Sequence, residues 1–174
     1  MERSDFATAL KNVKLEGFVW PDPEDASDVR LIKNVIGSGC HLIAVEKEIG
    51  HPAFVYSIGL YLNYLHPEVM IVELDRAEAG SAINRIGEHL KKGGTVKCGI
   101  PYEGFHDTRP FMFRELRMEE HTDELGFAIW FYCSRSRGLR FPVYQAMWPD
   151  GSGQFPSASL CDPRVVRAQT LKRK

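Results

Sequence analysis

Most of the signatures that would tie these 174 residues to a particular chemistry are missing. No stretch approaches the roughly 18 consecutive apolar residues of a helical membrane span. The opening MERSDF lacks the basic-then-apolar pattern of a secretory signal, so a cytoplasmic protein with no membrane association is expected. Cys40, Cys98, Cys133 and Cys161 stand far apart and form no CxxC pair, which favours reduced thiols over disulfides or zinc. His51, His66, His89, His106 and His121 never adopt HxxxH or HExxH spacing, so no metal site is expected. Gly37-Ser38-Gly39 and Gly151-Ser152-Gly153 lack the strand, lysine and helix that surround a phosphate-cradling glycine loop. A net charge of −1 supplies no global attraction to nucleic acid or membrane.

What is present is well patterned. Hydrophobic content of 44% and charged content of 26% suit one folded domain over residues 1–174, with its core at about 28–156. The organising stretch is PAFVYSIGLYLNYLHPEVMIVEL, Pro52 to Leu74. Its two apolar runs, Ala53 to Leu60 and Val69 to Leu74, are rich in β-branched and aromatic residues and bounded by Pro52 and Pro67. They read as two buried strands. The link Tyr61 to His66 is too short for a helical crossover, so antiparallel pairing is expected.

Before that pair, Asp5 could cap a single helical turn ahead of Gly17. An acidic linker, PDPEDAS, leads to Ser27 as a candidate N-cap. Val29, Ile32 and Ile36 then form an amphipathic stripe ended by the glycines at 37 and 39. CHLIAVE, Cys40 to Glu46, has strand composition. After the pair, Ala77 to Lys92 is the strongest helix, with Ala79, Ile83, Ile86 and Leu90 on one face. Strands are expected at Thr95 to Ile100, Phe111 to Leu116 and Phe141 to Trp148, with a helix over Glu119 to Tyr132. The end of the chain, 157–174, carries Arg164, Arg167, Lys172, Arg173 and Lys174 and reads as a solvated basic extension. The element order predicts an α+β domain. It would hold a curved, mostly antiparallel sheet or small barrel of about six strands, with two or three flanking helices.

Several residues invite a chemical reading. Tyr56, Ser57 and His66 suit proton transfer or ligand binding at a strand end, or else a set of satisfied backbone partners and a turn. Cys40 and His41 are neighbours on a strand and point to opposite faces, so they cannot act as nucleophile and base. Trp148 and Asp150-Gly151 place a large aromatic beside a turn, where the rims of pockets lie. No catalytic residue is assigned. The candidate ligand- or partner-binding residues are Tyr56, Ser57, Gly59, His66, Trp148 and Asp150, and at least two of these groups are expected around one concavity lined by Tyr56 and Trp148.

Two sequence blocks carry a family resemblance. The first comprises Pro52, Phe54, Tyr56, Ser57, Gly59, Leu60, His66, Pro67 and Glu68. The second comprises Phe141, Pro142, Gln145, Trp148, Pro149, Asp150, Gly153 and Pro156. In this pattern the chain resembles the bacterial domain of unknown function 4262 family over roughly Asp28 to Pro156. That resemblance brings no reaction and no catalytic residues. The element order is also similar to the start of flavin-reductase-like split barrels. That second resemblance would imply FMN as cofactor, its phosphate held near Ser57 and Gly59.

Two functional classes follow. The first is a non-catalytic binding protein with no cofactor and a protein partner, a class that includes cytosolic immunity-type proteins that block a toxin. Its acidic PDPEDASD segment would be the natural contact for a basic partner. The second is an FMN- or small-ligand-binding split barrel with oxidoreductase-type activity.

Overall fold

A computed structural model describes residues 13–136 and 138–171. The turn expected after Asp5 and the cations Lys172, Arg173 and Lys174 lie outside the described residues.

The first helix, α1 (Ala26–Ser38), begins two residues earlier than the candidate cap Ser27 suggests. Asp25 is the cap, and its Oδ1 accepts from the amides of Ser27 at 2.7 Å and Asp28 at 3.0 Å. A carboxylate satisfies two of the unpaired first-turn amides at once and suits the helix dipole, which decides between neighbouring candidates. Strands β1 (His41–Val45) and β2 (Phe54–Ile58) follow, then a five-residue helix α2 (Leu60–Tyr64) and β3 (Glu68–Val72). The link between β2 and β3 therefore holds one helical turn, yet the two strands remain antiparallel neighbours. Helix α3 (Arg76–Lys91) is capped by Asp75 and buries Ala79, Ile83, Ile86 and Leu90, the face its spacing predicts.

Beyond α3 the elements are shorter than the sequence suggests. The segment 95–100 makes only an isolated bridge, Cys98 to Phe113, and Gly99, at positive φ, interrupts any extended pairing there. A two-residue strand β4 (Pro101–Tyr102) precedes β5 (Phe111–Leu116). The helix expected from Glu119 resolves into a 3-10 turn at Met118–Glu120 and α4 (Gly126–Cys133), separated by the polar turn at 122–124. Strand β6 (Val143–Met147) starts after Pro142, which has no amide to give to a ladder.

The six strands form one sheet in the order β1-β2-β3-β6-β5-β4. All neighbours are antiparallel except β3 and β6, which run parallel. The sheet is curved and open, so the barrel alternative does not hold. Its ends, β1 and β4, do not meet. Five α-helices lie among the described residues, more than the two or three expected.

Alternating side chains on β2 and β3 feed two cores. Phe54, Tyr56, Ile58, Met70 and Val72 pack with α1 and α4 on one face. Val55, Val69 and Ile71 pack with α3 on the other. Strands covered on both faces read as unbroken apolar runs, which is why this pair dominates the sequence.

The C-terminal stretch is not a solvated tail through residue 171. Helix α5 (Pro163–Ala168) brings Gln169 and Leu171 into the interior. The Gln169 side chain pairs with the Trp148 backbone as a neighbouring strand would, accepting from its amide at 3.0 Å and donating to its carbonyl at 2.8 Å. Gln145 Nε2 in turn donates to the Gln169 carbonyl at 2.6 Å. A buried polar group must find partners, and this glutamine fixes the end of the chain by supplying them.

The two-sided packing gives a direct test. Ile83 on α3 is fully buried against β2 and β3. Ile83→Ala should lower unfolding free energy by about 2–5 kcal/mol through lost burial plus a cavity. Urea denaturation would measure it, and an unchanged midpoint would remove α3 from the core.

Candidate functional site

The expected site residues fall into separate environments. Tyr56 points into the core shared with α1 and α4, while Trp148 belongs to the core on the opposite face. The cavity that Tyr56 lines does not include Trp148. Contrary to the expectation, the two do not share a concavity: Tyr56, in the middle of β2, faces one side of the sheet and Trp148, just past the end of β6, faces the other.

Trp148 instead has structural partners. Its indole Nε1 donates to the Val72 carbonyl at 3.0 Å, and the Arg109 guanidinium lies 5.4 Å from its ring centroid. Asp150 organises a turn, with Oδ1 accepting from Ser152 and Gln154 and Oδ2 from the Asp162 amide at 2.8 Å. These backbone amides, Asp162's first, hold its carboxyl below the usual aspartate range. His66 is buried edge-on against Tyr144 and donates from Nδ1 to the Pro67 carbonyl at 2.7 Å. Burial lowers its pKa, so the ring is neutral.

Ser57 and Gly59 do come together, around a residue the site reading left out. Glu68 is fully buried at the start of β3. Its Oε2 accepts from Ser57 Oγ at 2.5 Å, and its Oε1 from the amides of Gly59 at 2.8 Å and Tyr61 at 3.1 Å. The Tyr132 hydroxyl on α4 donates to the same carboxyl and accepts from the Gly59 amide at 3.1 Å. Ser57 Oγ accepts from the Val69 amide at 2.9 Å, which directs its own proton to Glu68. Gly59 has φ +116°, and a Cβ there would stand 2.9 Å from Val35 and 3.0 Å from the Gly39 carbonyl. Glycine is required for that close approach. The arrangement does not fit FMN. A phosphate at Ser57 and Gly59 would find their donors already committed and would face a buried carboxyl group.

A second constellation is open to solvent. A cavity of about 490 Å³ lies on the face of the sheet that carries α1 and α4. Its floor is two cross-strand pairs, Ile43 with Tyr56 and Val45 with Phe54. Phe127 and Trp130 of α4 form an aromatic wall. The rim carries five carboxylates, Glu24, Asp25 and Asp28 from the start of α1, and Asp123 and Glu124 from the turn before α4. Among the described residues no lysine or arginine lines it. Part of this charge is structural: Asp25 caps α1, Asp28 Oδ2 accepts from the Glu24 amide at 3.0 Å, and Glu124 lies 3.8 Å from His121 Nδ1. The two helix N-termini nearby offset only about half a charge each. Five acidic side chains are thus gathered at one rim of a chain whose net charge is −1.

The profile of a family described as Domain of unknown function (DUF4262) matches residues 34–162. The chain belongs to that family. The DUF4262 region contains all six strands, the Glu68 cluster and the floor and aromatic wall of the acidic cavity. The carboxylates at 24, 25 and 28 lie just outside the matched region. No curated protein and no solved structure matches the chain.

Of the residues that sequence reasoning missed, Glu68 had a signal. It is in phase with Met70 and Val72, so an ionisable side chain was bound for an interior face. Burial raises its pKa above the ordinary glutamate range, and the Ser57 and Tyr132 hydroxyls and the Tyr61 and Gly59 amides hold back part of that rise. A raised carboxyl favours the protonated folded state. Its contribution to stability is complete below about pH 4.3, the unfolded glutamate value, and is lost as pH rises through the folded pKa. Glu68→Gln carries no titrating proton there. The stability of the natural protein relative to this variant should therefore fall as pH rises above the unfolded glutamate value, measured by denaturation at each pH. A difference that grows with pH would mean the donors dominate and hold the group ionised.

Proposed function

We propose that this protein is a non-catalytic binding protein and that the acidic cavity is its recognition site, receiving a cationic group of a basic protein partner. The observation that carries this reading is the pairing of an apolar, aromatic interior with a rim of five carboxylates and, among the described residues, no lining lysine or arginine. An arginine or lysine side chain matches that combination, since its stem is apolar and its head is charged. Trp130 and Phe127 offer ring faces to a cation, and the carboxylates offer charge. The groups best suited to proton transfer, Ser57, Glu68 and Tyr132, are sealed from solvent, which supports recognition over catalysis. An immunity-type role in the cytoplasm, occluding the basic surface of a toxin, is the partner relationship this chemistry suits.

The expected behaviour is measurable with a minimal probe. Nα-acetyl-arginine amide should bind, as followed by calorimetry, and the neutral isostere Nα-acetyl-citrulline amide should bind at least about tenfold more weakly. The double substitution Glu24→Gln and Asp28→Asn should weaken the arginine probe while leaving the Asp25 cap and the melting temperature in place. Added salt should weaken it further, because Glu24, Asp25 and Asp123 of the rim are solvent-exposed. Equal binding of the two probes would refute a cation site.

A further inference from the structure

The two edges of the sheet are treated differently. The β4 edge is two residues long and begins with Pro101, features that discourage further strand pairing. The β1 edge is not protected in this way. Its sequence, HLIAV, has no proline and no lysine, arginine or acidic residue, and its pairing with β2 is continuous from His41–Ile58 to Val45–Phe54 with no bulge. Among the described residues no strand pairs with its outer side.

The same edge borders the acidic cavity. Ile43 and Val45 belong both to β1 and to the cavity floor. Val45 is exposed, as are Phe127 on the cavity wall and Ile49 just beyond the strand. An open strand edge, an apolar surface and a ring of carboxylates thus meet at one corner of the molecule. We propose that an extended segment of a basic protein partner adds to the outer edge of β1 as a seventh strand and seats an arginine side chain in the acidic cavity.

The geometry follows from strand periodicity. An added strand lies about 4.7–4.9 Å from β1, and alternate side chains fall on the cavity face beside Ile43 and Val45. The intervening side chains fall on the other face, beside Leu42 and Ala44, where an apolar residue fits. Main-chain hydrogen bonds would supply affinity, and the arginine in the cavity would supply selection. The partner sequence this favours alternates apolar and polar residues around a central arginine. This inference rests on the cation-site reading above and adds the backbone requirement to it.

The test uses the full chain and the blocked pentapeptide Thr-Val-Arg-Val-Thr. Two further versions are N-methylated, one at the amides of the two valines and one at the amides of the threonines and arginine, because the two sets point to opposite edges of the peptide strand. The unmodified peptide is expected to bind at least about tenfold more tightly than Nα-acetyl-arginine amide. One methylated version should lose at least about tenfold while the other keeps its affinity, since only one edge faces β1. Backbone amides of 41–45 that are open in the free protein should gain protection from hydrogen exchange. If both methylated peptides bind as the parent does, strand addition is overturned and the cation site stands. If neither the peptide nor the arginine amide binds, both readings are overturned.

Discussion

A carboxyl group out of reach of water, that of Glu68, holds the centre of this fold. Its hydrogen bonds join the end of β2 through Ser57, the start of α2 through Gly59 and Tyr61, and α4 through Tyr132. Gly59 extends the constraint to α1, because only a residue without Cβ fits against Val35 at φ +116°. Five elements therefore converge on one side chain. Hydrogen bonds between neutral groups contribute roughly 0.5–1.5 kcal/mol each, and donors left without this acceptor would be stranded in the interior. The large desolvation cost of a buried acid is offset only because every neighbouring donor points at it. The same crowding closes this strand end to ligands.

That closure shifts the recognisable chemistry to the neighbouring corner. Ile43 and Val45 of β1, beside the buried Phe54 and Tyr56 of β2, form the floor of a cavity, and the segments that start α1 and α4 supply its acidic rim. Helix starts favour carboxylates for their own stability. Two such starts placed side by side concentrate negative charge with little added structural cost. The overall charge of −1 gives no hint of this, since a sum over the chain carries no information on where its charges sit. Local field, not net charge, sets what this surface attracts.

Much of the framework was legible from residues alone. Runs such as AFVYSIGL and VMIVEL announce strands buried on both sides, and the spacing of Ala79, Ile83, Ile86 and Leu90 announces the face of α3. The acidic segment before α1 was also visible, although the carboxylates across the rim from it, Asp123 and Glu124, lie almost a hundred residues away. Register was the missing quantity. Whether Tyr56 and Trp148 share a face depends on how β2, β3 and β6 align, and β6 reaches β3 in parallel only after a long excursion through α3, β5 and α4. Periodicity within one strand cannot supply that alignment. Gln169 was hidden for a similar reason: its burial depends on a backbone partner at Trp148, twenty-one residues earlier.

The claim that cation recognition belongs to the acidic corner is tested most directly by mapping amide and indole chemical shifts while Nα-acetyl-arginine amide is added to isotope-labelled protein. The account predicts that the Trp130 indole, the amides of Gly126 and Phe127, and those of Ile43 and Val45 shift together along one saturating curve. Those around Trp148 and Asp150 should stay in place. Shifts centred on Trp148, or small unsaturable shifts spread over the surface, would contradict it.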